Sequence, residues 1–394
     1  MKNCVNITDK TQCTGCRACE QLCPVKAISM QEDVEGFIFP SVDFEKCIDC
    51  GKCSRQCHMI NMPEKAPVES EQFYACKALD ESTVMQSSSG GMFSVLAEEI
   101  IKKGGAVFGA AFGKDFRVEH ICADKLSDLQ RLRGSKYVAS DTLDTFSQAK
   151  KLLDSGSYVL YSGSPCHIAG LKAFLNKEYD RLLTVDIICH GTPSYKIFSK
   201  YLGWLSHKMG GEIDSIDFRS KKKGWKHAML VKAKGKTYFS NYGTDPYYKA
   251  FHSCYISRES CYKCPYADSS RIGDITLGDY WGIELAHPDF VSPNGVSLVA
   301  VNTEKGQKFF DSVKNKIDYT LSDFEKAVRR NSNLAHPTER KEKRSRIFLN
   351  IDTLDDVSFV KSNLHIPFSE KLKTSIKAAV PYSLKNKLKQ KLLK

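Results

Sequence analysis

The stretch SYVLYSGSPCHIAGLKAFL, residues 157–175, followed by LLTVDIICHGTPS, residues 182–194, decides the fold of the middle of this 394-residue chain. Each piece opens with a short apolar run that favours a buried strand, and the first continues through a serine-glycine loop into a helical pattern. Because a helix that crosses over between neighbouring strands makes them parallel, we predict an α/β domain. Cys166 and Cys189 each follow a predicted strand, at the edge where open α/β sheets bind ligands.

The N-terminal segment carries two runs of four cysteines with the same spacing, C-x2-C-x2-C-x3-C. This is the pattern of two-cluster bacterial ferredoxins, in which the last cysteine of each run binds the other run's 4Fe-4S cluster. The first cluster would be held by Cys13, Cys16, Cys19 and Cys57, and the second by Cys47, Cys50, Cys53 and Cys23. Residues 37–39 between the runs predict a short hairpin, so we expect an α+β ferredoxin-like module.

A pair of zinc knuckles is the alternative to iron-sulfur clusters. Zinc sites usually combine C-x2-C pairs across a longer loop, and a duplicated four-cysteine run argues against them. Pro24 follows the first run, whereas His58 follows the second. We interpret His58 as a surface neighbour rather than a ligand.

A second set of thiols lies in the middle of the chain. CYKCPYAD, residues 261–268, supplies Cys261 and Cys264, which with Cys166 and Cys189 would be enough to hold a third 4Fe-4S cluster. Cys254 competes as a fourth ligand. The remaining cysteines, interpreted as small buried apolar residues, are Cys4, Cys76 and Cys122.

The stretch SSSGG, residues 87–91, precedes an apolar helical pattern that glycines at 104 and 105 stop. Free backbone N–H groups at such a helix start can hold a phosphate. The alternative is an ordinary serine N-cap.

Composition and charge indicate the redox compartment of the protein and the kinds of partner that it binds. Sixteen cysteines without an apolar N-terminal stretch favour a reducing, cytoplasmic location. The net charge of +12 arises mainly late in the chain, since residues 1–60 are nearly neutral. Leu384, Leu388 and Leu392 stand at i, i+4 spacing among lysines, which suits either a basic helix in peripheral contact with a membrane surface or a solvated, frayed end. We expect no nucleic-acid partner, because the basic residues lack interleaved aromatic residues.

Five motifs in order resemble the family of coenzyme F420 hydrogenase/dehydrogenase beta subunits: SSSGGMF, RGSKYVAS, YSGSPCHIAGLK, DIICHGTPS and CYKCPYADSSRIGDITLGDYWGIE. The resemblance implies an α/β domain that binds FAD and an iron-sulfur cluster. It implies that FAD phosphates face Ser88, Ser89, Gly90 and Gly91, and that the flavin site is lined by Gly134, Ser135, Lys136 and Tyr137. We assign no chemistry to Asp274 and Asp279.

The expected organisation is a ferredoxin domain at 1–65, a linker at 62–70, beta-subunit regions at 72–150 and 151–345, and a basic helical tail at 346–394. No catalytic residue is nominated; His167 and His190 are interpreted as satisfied neighbours of the thiols. The leading hypothesis is an oxidoreductase that passes electrons from ferredoxin-type clusters through FAD to a small organic acceptor, in surface-polysaccharide metabolism. The alternatives are an electron-transfer subunit that works with ferredoxin or with a hydrogenase/dehydrogenase complex, and a metal-stabilised binding module.

Overall fold

The computed structural model describes residues 3–65, 72–225 and 228–379. The α-helices are α1 (Ala18–Leu22), α2 (Lys52–Arg55), α3 (Glu81–Met85), α4 (Met92–Lys102), α5 (Leu129–Leu132), α6 (Thr145–Asp154), α7 (Pro165–Leu175), α8 (Tyr195–Met209), α9 (Pro246–His252), α10 (Ile283–Ala286), α11 (Glu304–Val313), α12 (Phe324–Val328), α13 (Lys343–Leu349), α14 (Asp356–Asn363) and α15 (Phe368–Ala379). The strands are β1 (Ile28–Glu32), β2 (Ile38–Val42), β3 (Gln72–Ala78), β4 (Ala106–Phe112), β5 (Val118–Ala123), β6 (Ser140–Asp141), β7 (Val159–Gly163), β8 (Leu182–Ile187), β9 (Ser215–Asp217), β10 (Ala228–Ala233), β11 (Lys236–Asn241), β12 (Ile275–Asp279), β13 (Ser297–Val301) and β14 (Ile317–Ser322).

A nine-stranded mixed sheet in the order β14-β3-β13-β12-β8-β7-β4-β5-β6 forms the centre of the molecule. The predicted β7–α7–β8 crossover is confirmed, since β7 and β8 pair in parallel with Val159 opposite Leu182. Strand β3, from the start of the predicted region 72–150, pairs with β13 and β14 near the other end of the chain. The two predicted beta-subunit regions therefore share one sheet.

Helices cover both faces of this sheet, as expected for an α/β domain. Helices α4 and α11 bury Leu96, Ile100 and Phe310 on one face. Helices α6 and α7 bury Phe146 and Ile168 on the other face, where α1 of the ferredoxin-like module also packs. The module is thus joined to the α/β domain through a shared apolar core.

The C-terminal part of the chain packs onto a small antiparallel sheet in the order β11-β10-β9. Residues 346–366 belong to the predicted tail but contribute Phe348, Phe359 and Ile366 to the buried core, with α14 against α8. The packed part of the chain therefore reaches residue 366. The predicted leucine-lysine helix at 383–394 and most of the linker lie outside the described residues. Among those described, no helix is both long and apolar enough to span a bilayer.

Candidate functional site

The first group of thiols, defined as Cys13, Cys16, Cys19 and Cys57, comes together as the cysteine spacing predicts. Burial, followed by the charges of Cys16, Cys13 and Cys57, raises the pKa of Cys19 well above its usual range. Gly15 adopts a left-handed φ of +73°, which lets the chain turn sharply between two of these cysteines. Burial also raises the pKa values of Cys16 and Cys57, and the positive charge of iron would stabilise the thiolates of this group.

The second group, defined as Cys23, Cys47, Cys50 and Cys53, lines a small cavity of about 20 Å³ together with Cys4. Cys50 is exposed, whereas the other predicted ligands are buried or half-buried. The prediction that Cys4 is only a small packing residue does not account for its place among these thiols. The same prediction is confirmed for Cys76, which is fully buried, and wrong for Cys122, which is exposed.

The third group, defined as Cys166, Cys189, Cys261 and Cys264, converges from three separate segments. Cys166 opens α7, Cys189 follows β8, and the other two belong to a short 3-10 helix, Glu259–Lys263, and its C-cap. Burial, followed by the charges of Cys264, Cys189 and Cys261, raises the pKa of Cys166 well above its usual range. Burial and the neighbouring thiols raise the pKa of Cys189 to about 12.

Cys254, the competing ligand, lies at the margin of the third group. Burial raises the pKa of Cys254, and of the four thiols in that group, Cys261 is the one whose charge raises it further. The Cys254 sulfur donates to the carbonyl of His252 at 3.8 Å. Across the described ranges, no three His, Cys, Asp or Glu side chains are spaced to hold a single metal ion. Thiols around a cubane cluster stand further apart, because each binds a different iron.

The first and third groups are neighbours. A methyl group added at Gly170 of α7 would lie 3.0 Å from the Cys16 sulfur. Burial, followed by the charges of Cys166 and Cys264 of the third group and of Cys16 and Cys57 of the first group, raises the pKa of Tyr266, so its hydroxyl lies near both groups.

The prediction that His58 is a surface residue is wrong. His58 is 1% exposed, and its Nδ1 is 2.8 Å from the Tyr266 hydroxyl. Its Nε2 is 3.0 Å from the Thr14 hydroxyl. Burial lowers the pKa of His58 to about 4, so the ring is neutral near pH 7. The contact that buries it comes from Tyr266, 208 positions away, and the local sequence carries no signal of it.

A cavity of about 310 Å³ opens beside the third group. It is lined by residues from both predicted flavin-binding stretches, Ser88, Ser89, Gly91, Gly134, Ser135, Lys136 and Tyr137, and by Cys189 and His190. The two stretches bind each other, because the Ser135 backbone N–H donates to the Ser88 hydroxyl at 2.8 Å. Gly90 differs from its neighbours: an added methyl group there would meet the Cys76 carbonyl oxygen at 2.3 Å, so it packs against β3.

Helix α4 points its N-terminus towards this cavity. Its N-cap is Gly91, with a left-handed φ of +93°, and no side chain caps the helix. The alternative of an ordinary serine N-cap is therefore wrong, since neither serine hydroxyl nor carboxylate occupies the cap position. This leaves the helix start available to a phosphate.

A buried arginine binds residues that line the cavity. Arg219 is 4% exposed and forms a two-pronged ion pair with Asp279. It also donates to the Ser88 carbonyl at 3.2 Å and to the Tyr137 hydroxyl at 3.3 Å. Arg219 thereby holds both predicted flavin-binding stretches, and Asp279 serves as its structural counter-charge.

Two histidines, His120 and His167, line the cavity. The Nε2 of His120 is 3.1 Å from the Ser162 carbonyl, so this nitrogen donates and Nδ1 accepts from the Ser140 hydroxyl at 2.8 Å. The His167 ring stands edge-on to it, with ring centres 4.9 Å apart. Our prediction that His167 is satisfied is wrong for one nitrogen, because its buried Nδ1 has no hydrogen-bond partner in the described structure.

Sequence reasoning missed His120, Arg219 and Lys221. Lys221 donates to the Ser89 carbonyl at 2.7 Å, 132 positions away. His120 lies on β5, where an alternating burial pattern gives no hint of a site. None of these residues belongs to a recognisable motif, and each acquires its position through contacts that are distant in sequence.

Comparison with known proteins gives two family matches. Residues 156–327 match the model of the coenzyme F420 hydrogenase/dehydrogenase beta subunit, C terminus. Residues 12–60 match the 4Fe-4S dicluster domain.

The curated relatives are redox proteins. One subunit of the F(420)H(2) dehydrogenase of Methanosarcina mazei is 22% identical over 324 residues, which cover 78% of this chain and 83% of that protein. The coenzyme F420-dependent sulfite reductase of Methanocaldococcus jannaschii is 23% identical over 339 residues, covering 81% of this chain and 49% of the reductase. The chain thus spans about half the length of that reductase.

A solved structure of the F420-reducing [NiFe] hydrogenase complex from Methanosarcina barkeri aligns with a TM-score of 0.43 and 16% identity, over 79% of this chain and 92% of that chain. The four cysteines of the third group fall within the matched region 156–327, the two predicted flavin-binding stretches precede that region, and the first and second groups fall within 12–60. The chain therefore combines a region that matches the C-terminal part of coenzyme F420 hydrogenase/dehydrogenase beta subunits with a segment that matches a 4Fe-4S dicluster domain.

Proposed function

We propose that this protein is the electron-transfer subunit of a redox complex, in which three 4Fe-4S clusters connect a partner protein with FAD held in the large cavity. The observation that carries this proposal is the order of the thiol groups. They follow one another from an exposed cysteine on the ferredoxin-like module to the wall of the cavity. Iron-sulfur clusters supply one-electron transfer, and a flavin supplies exchange between single electrons and electron pairs.

Contacts between successive groups support this order. Cys53 of the second group affects the pKa of both Cys19 and Cys57 of the first group. Tyr266 lies near thiols of both the first and the third group. Cys189 of the third group lines the cavity. Electron transfer weakens steeply with distance, so a chain of neighbouring groups is what such a relay requires.

Arg258 holds the module in this position. It is 4% exposed, and its guanidinium donates to the Cys13 carbonyl at 2.7 Å and to the Ile38 carbonyl at 2.8 Å. The same group lies 4.1 Å from the ring centre of Phe39. Buried contacts of this kind keep the first and third groups at a constant separation.

The cavity suits FAD in size and chemistry. Its volume of about 310 Å³ falls in the range of roughly 300–1,000 Å³ that is common for cofactor sites. The uncapped start of α4 offers backbone N–H groups to the phosphates. Tyr137 and Trp281 offer ring surfaces to the isoalloxazine.

The relatives favour an electron-transfer subunit over a self-sufficient reductase of surface-polysaccharide metabolism. One is a dehydrogenase subunit, and neither name refers to polysaccharide. Both names contain F420, so the deazaflavin coenzyme is the first small molecule to test as the two-electron partner.

The partner protein would approach the second group. Phe44 is 54% exposed and Ile48 is 61% exposed, and Ile48 lines the cavity of the second group near the exposed Cys50. An apolar surface beside an exposed ligand fits a protein that docks briefly to deliver or accept an electron.

Anaerobic purification followed by iron, sulfide and flavin counts tests the proposal. We expect about twelve irons per chain for three cubane clusters, together with one FAD. Cys264→Ser should remove about four irons, whereas the control Cys254→Ser should retain the iron of the unsubstituted chain.

A count of about eight irons would refute the third cluster, and purified protein without flavin would refute the FAD assignment. Equal iron loss in both serine variants would refute the choice of ligands. Reduction of F420 or another small molecule by the isolated chain at the rate of a complete enzyme would refute the subunit role.

A further inference from the structure

The N-terminal segment lies across the second group. The Asn3 backbone N–H donates to the carboxylate of Asp49, inside the second cysteine run. The Val5 backbone N–H donates to the Cys53 sulfur at 3.3 Å, and the Val5 side chain is 2% exposed. Because the residues on both sides of Cys4 are anchored to the second run, the backbone of Cys4 is held against that run.

Cys4 lines the same cavity as the four thiols of the second group. Its thiol is hydrogen-bonded to that of Cys47 and lies near that of Cys53. Cys4 precedes residues 12–60, which match the dicluster domain, so the match gives it no role. Five sulfurs therefore surround a site at which a cubane cluster needs four.

Packing alone does not call for sulfur at this position. A half-buried apolar residue such as alanine or valine would serve equally well. A thiol in contact with a cluster ligand differs from these residues because its thiolate binds iron. The second group is also the one with an exposed ligand, Cys50, and it is the group most open to loss of a ligand.

We propose that Cys4 is a reserve ligand of the second 4Fe-4S cluster and binds the iron of Cys47 when Cys47 is displaced or absent. In the exchange an Fe–S bond forms to Cys4 and the Fe–S bond to Cys47 breaks. The proton of the Cys4 thiol passes to the departing Cys47 thiolate, or to water where Cys47 is absent. No electron is transferred, and the iron keeps its oxidation state.

The exchange needs only a small movement. The two sulfurs are already in hydrogen-bonding contact, so a rotation of the Cys4 side chain on its anchored backbone would let its sulfur take the place of the Cys47 sulfur. The reserve ligand would keep the outermost cluster assembled, independently of whether the cavity binds flavin.

Iron and sulfide counts on the full chain, purified without oxygen, test the proposal. We expect Cys4→Ala and Cys47→Ala each to keep the iron of the unsubstituted chain, and the double variant to lose about four irons. Cys50→Ala is the matched control in the same run and should lose about four irons even though Cys4 is present.

Equal iron loss in Cys47→Ala and in the double variant would overturn the proposal. So would loss of the cluster in Cys4→Ala, which would make Cys4 a structural residue. Retention of the cluster in Cys50→Ala would overturn it as well, because ligand loss would then not remove iron. Failure of Cys47→Ala to fold when Cys50→Ala folds would also count against a reserve ligand.

A second measurement leaves every predicted ligand in place. Hydrogen bonds to cluster sulfurs raise reduction potentials, so Cys4→Ala should shift the midpoint potential of one cluster to a more negative value. Potentials unchanged for all clusters in a spectroscopic titration would show that the thiol does not contact the second cluster, and would overturn the proposal.

Discussion

Replacing Asp186 by asparagine should weaken the fold around the third group. Asp186 on β8 and Arg271 are 0% and 1% exposed, and their closest atoms are 2.9 Å apart. Arg271 also donates to the Tyr266 carbonyl at 3.0 Å, two residues after Cys264. The ion pair thus ties the segment that carries Cys264 to the strand that leads to Cys189.

The expected cost follows from burial. Breaking a buried pair by removing one partner costs about 3–5 kcal/mol, because the remaining charge has lost its counter-charge in a medium of low dielectric. This is a large part of the roughly 5–15 kcal/mol that stabilises a typical domain. Asp154→Asn is the matched control, because Asp154 and Lys150 are both 41% exposed and such a pair contributes at most about 1 kcal/mol.

Chemical denaturation without oxygen, followed by circular dichroism, measures the stability of both variants. The iron content is determined on the same samples. Asp186→Asn should unfold at a clearly lower denaturant concentration and should lose about four irons, while Asp154→Asn should match the unsubstituted chain. Equal midpoints for the two variants, with full iron in both, would refute the reasoning.

Three further substitutions test other parts of the structure. Gly90→Ala would place a methyl group 2.3 Å from the Cys76 carbonyl oxygen. The variant should therefore bind well below one flavin per chain and keep its iron. One flavin per chain in the variant would contradict the prediction. Ile48→Lys should slow electron delivery by a partner protein several-fold, because it places a charge on the proposed docking surface. The control Val34→Lys, also at an exposed apolar residue (68%), should leave the rate unchanged. Equal rates for the two variants would exclude the surface around Ile48 as the docking site. Burial holds the pKa of His120 at about 3, against about 6.5 in the unfolded chain. The unfolded chain therefore binds a proton between these values that the folded chain does not, and stability falls as pH drops below 6.5 by up to about 1.4 kcal/mol per pH unit. His120→Gln should shift the acid-unfolding midpoint to lower pH, and an unchanged midpoint would count against burial of a neutral ring.

The grouping of the thiols was largely predictable from local patterns. Ligands held three residues apart are brought together by one turn of chain, so the spacing of the first and second groups could be read directly. The placement of Cys166 and Cys189 followed from the apolar runs before them, because strand ends of parallel neighbours meet at one edge. The convergence of Cys261 and Cys264 on that edge needed the family resemblance as well.

Other features could not be predicted from local patterns. Residues 346–366 look like the start of a basic tail, yet Phe359 is fully buried against α8. His58 follows the last cysteine of a run like any surface residue, but Tyr266 buries it. Composition decides neither case, since burial depends on which distant element covers the side chain.

By itself, the sequence determined that this chain carries a dicluster ferredoxin-like module and an α/β domain with cysteines at strand ends, because both depend on short repeats of spacing and hydrophobicity. Only the tertiary structure decided that Arg219 supports the cavity, that Tyr266 lies near two groups of thiols, and that Cys4 lies beside Cys47. These contacts join residues separated by tens to hundreds of positions, and the packing of the whole chain brings them together.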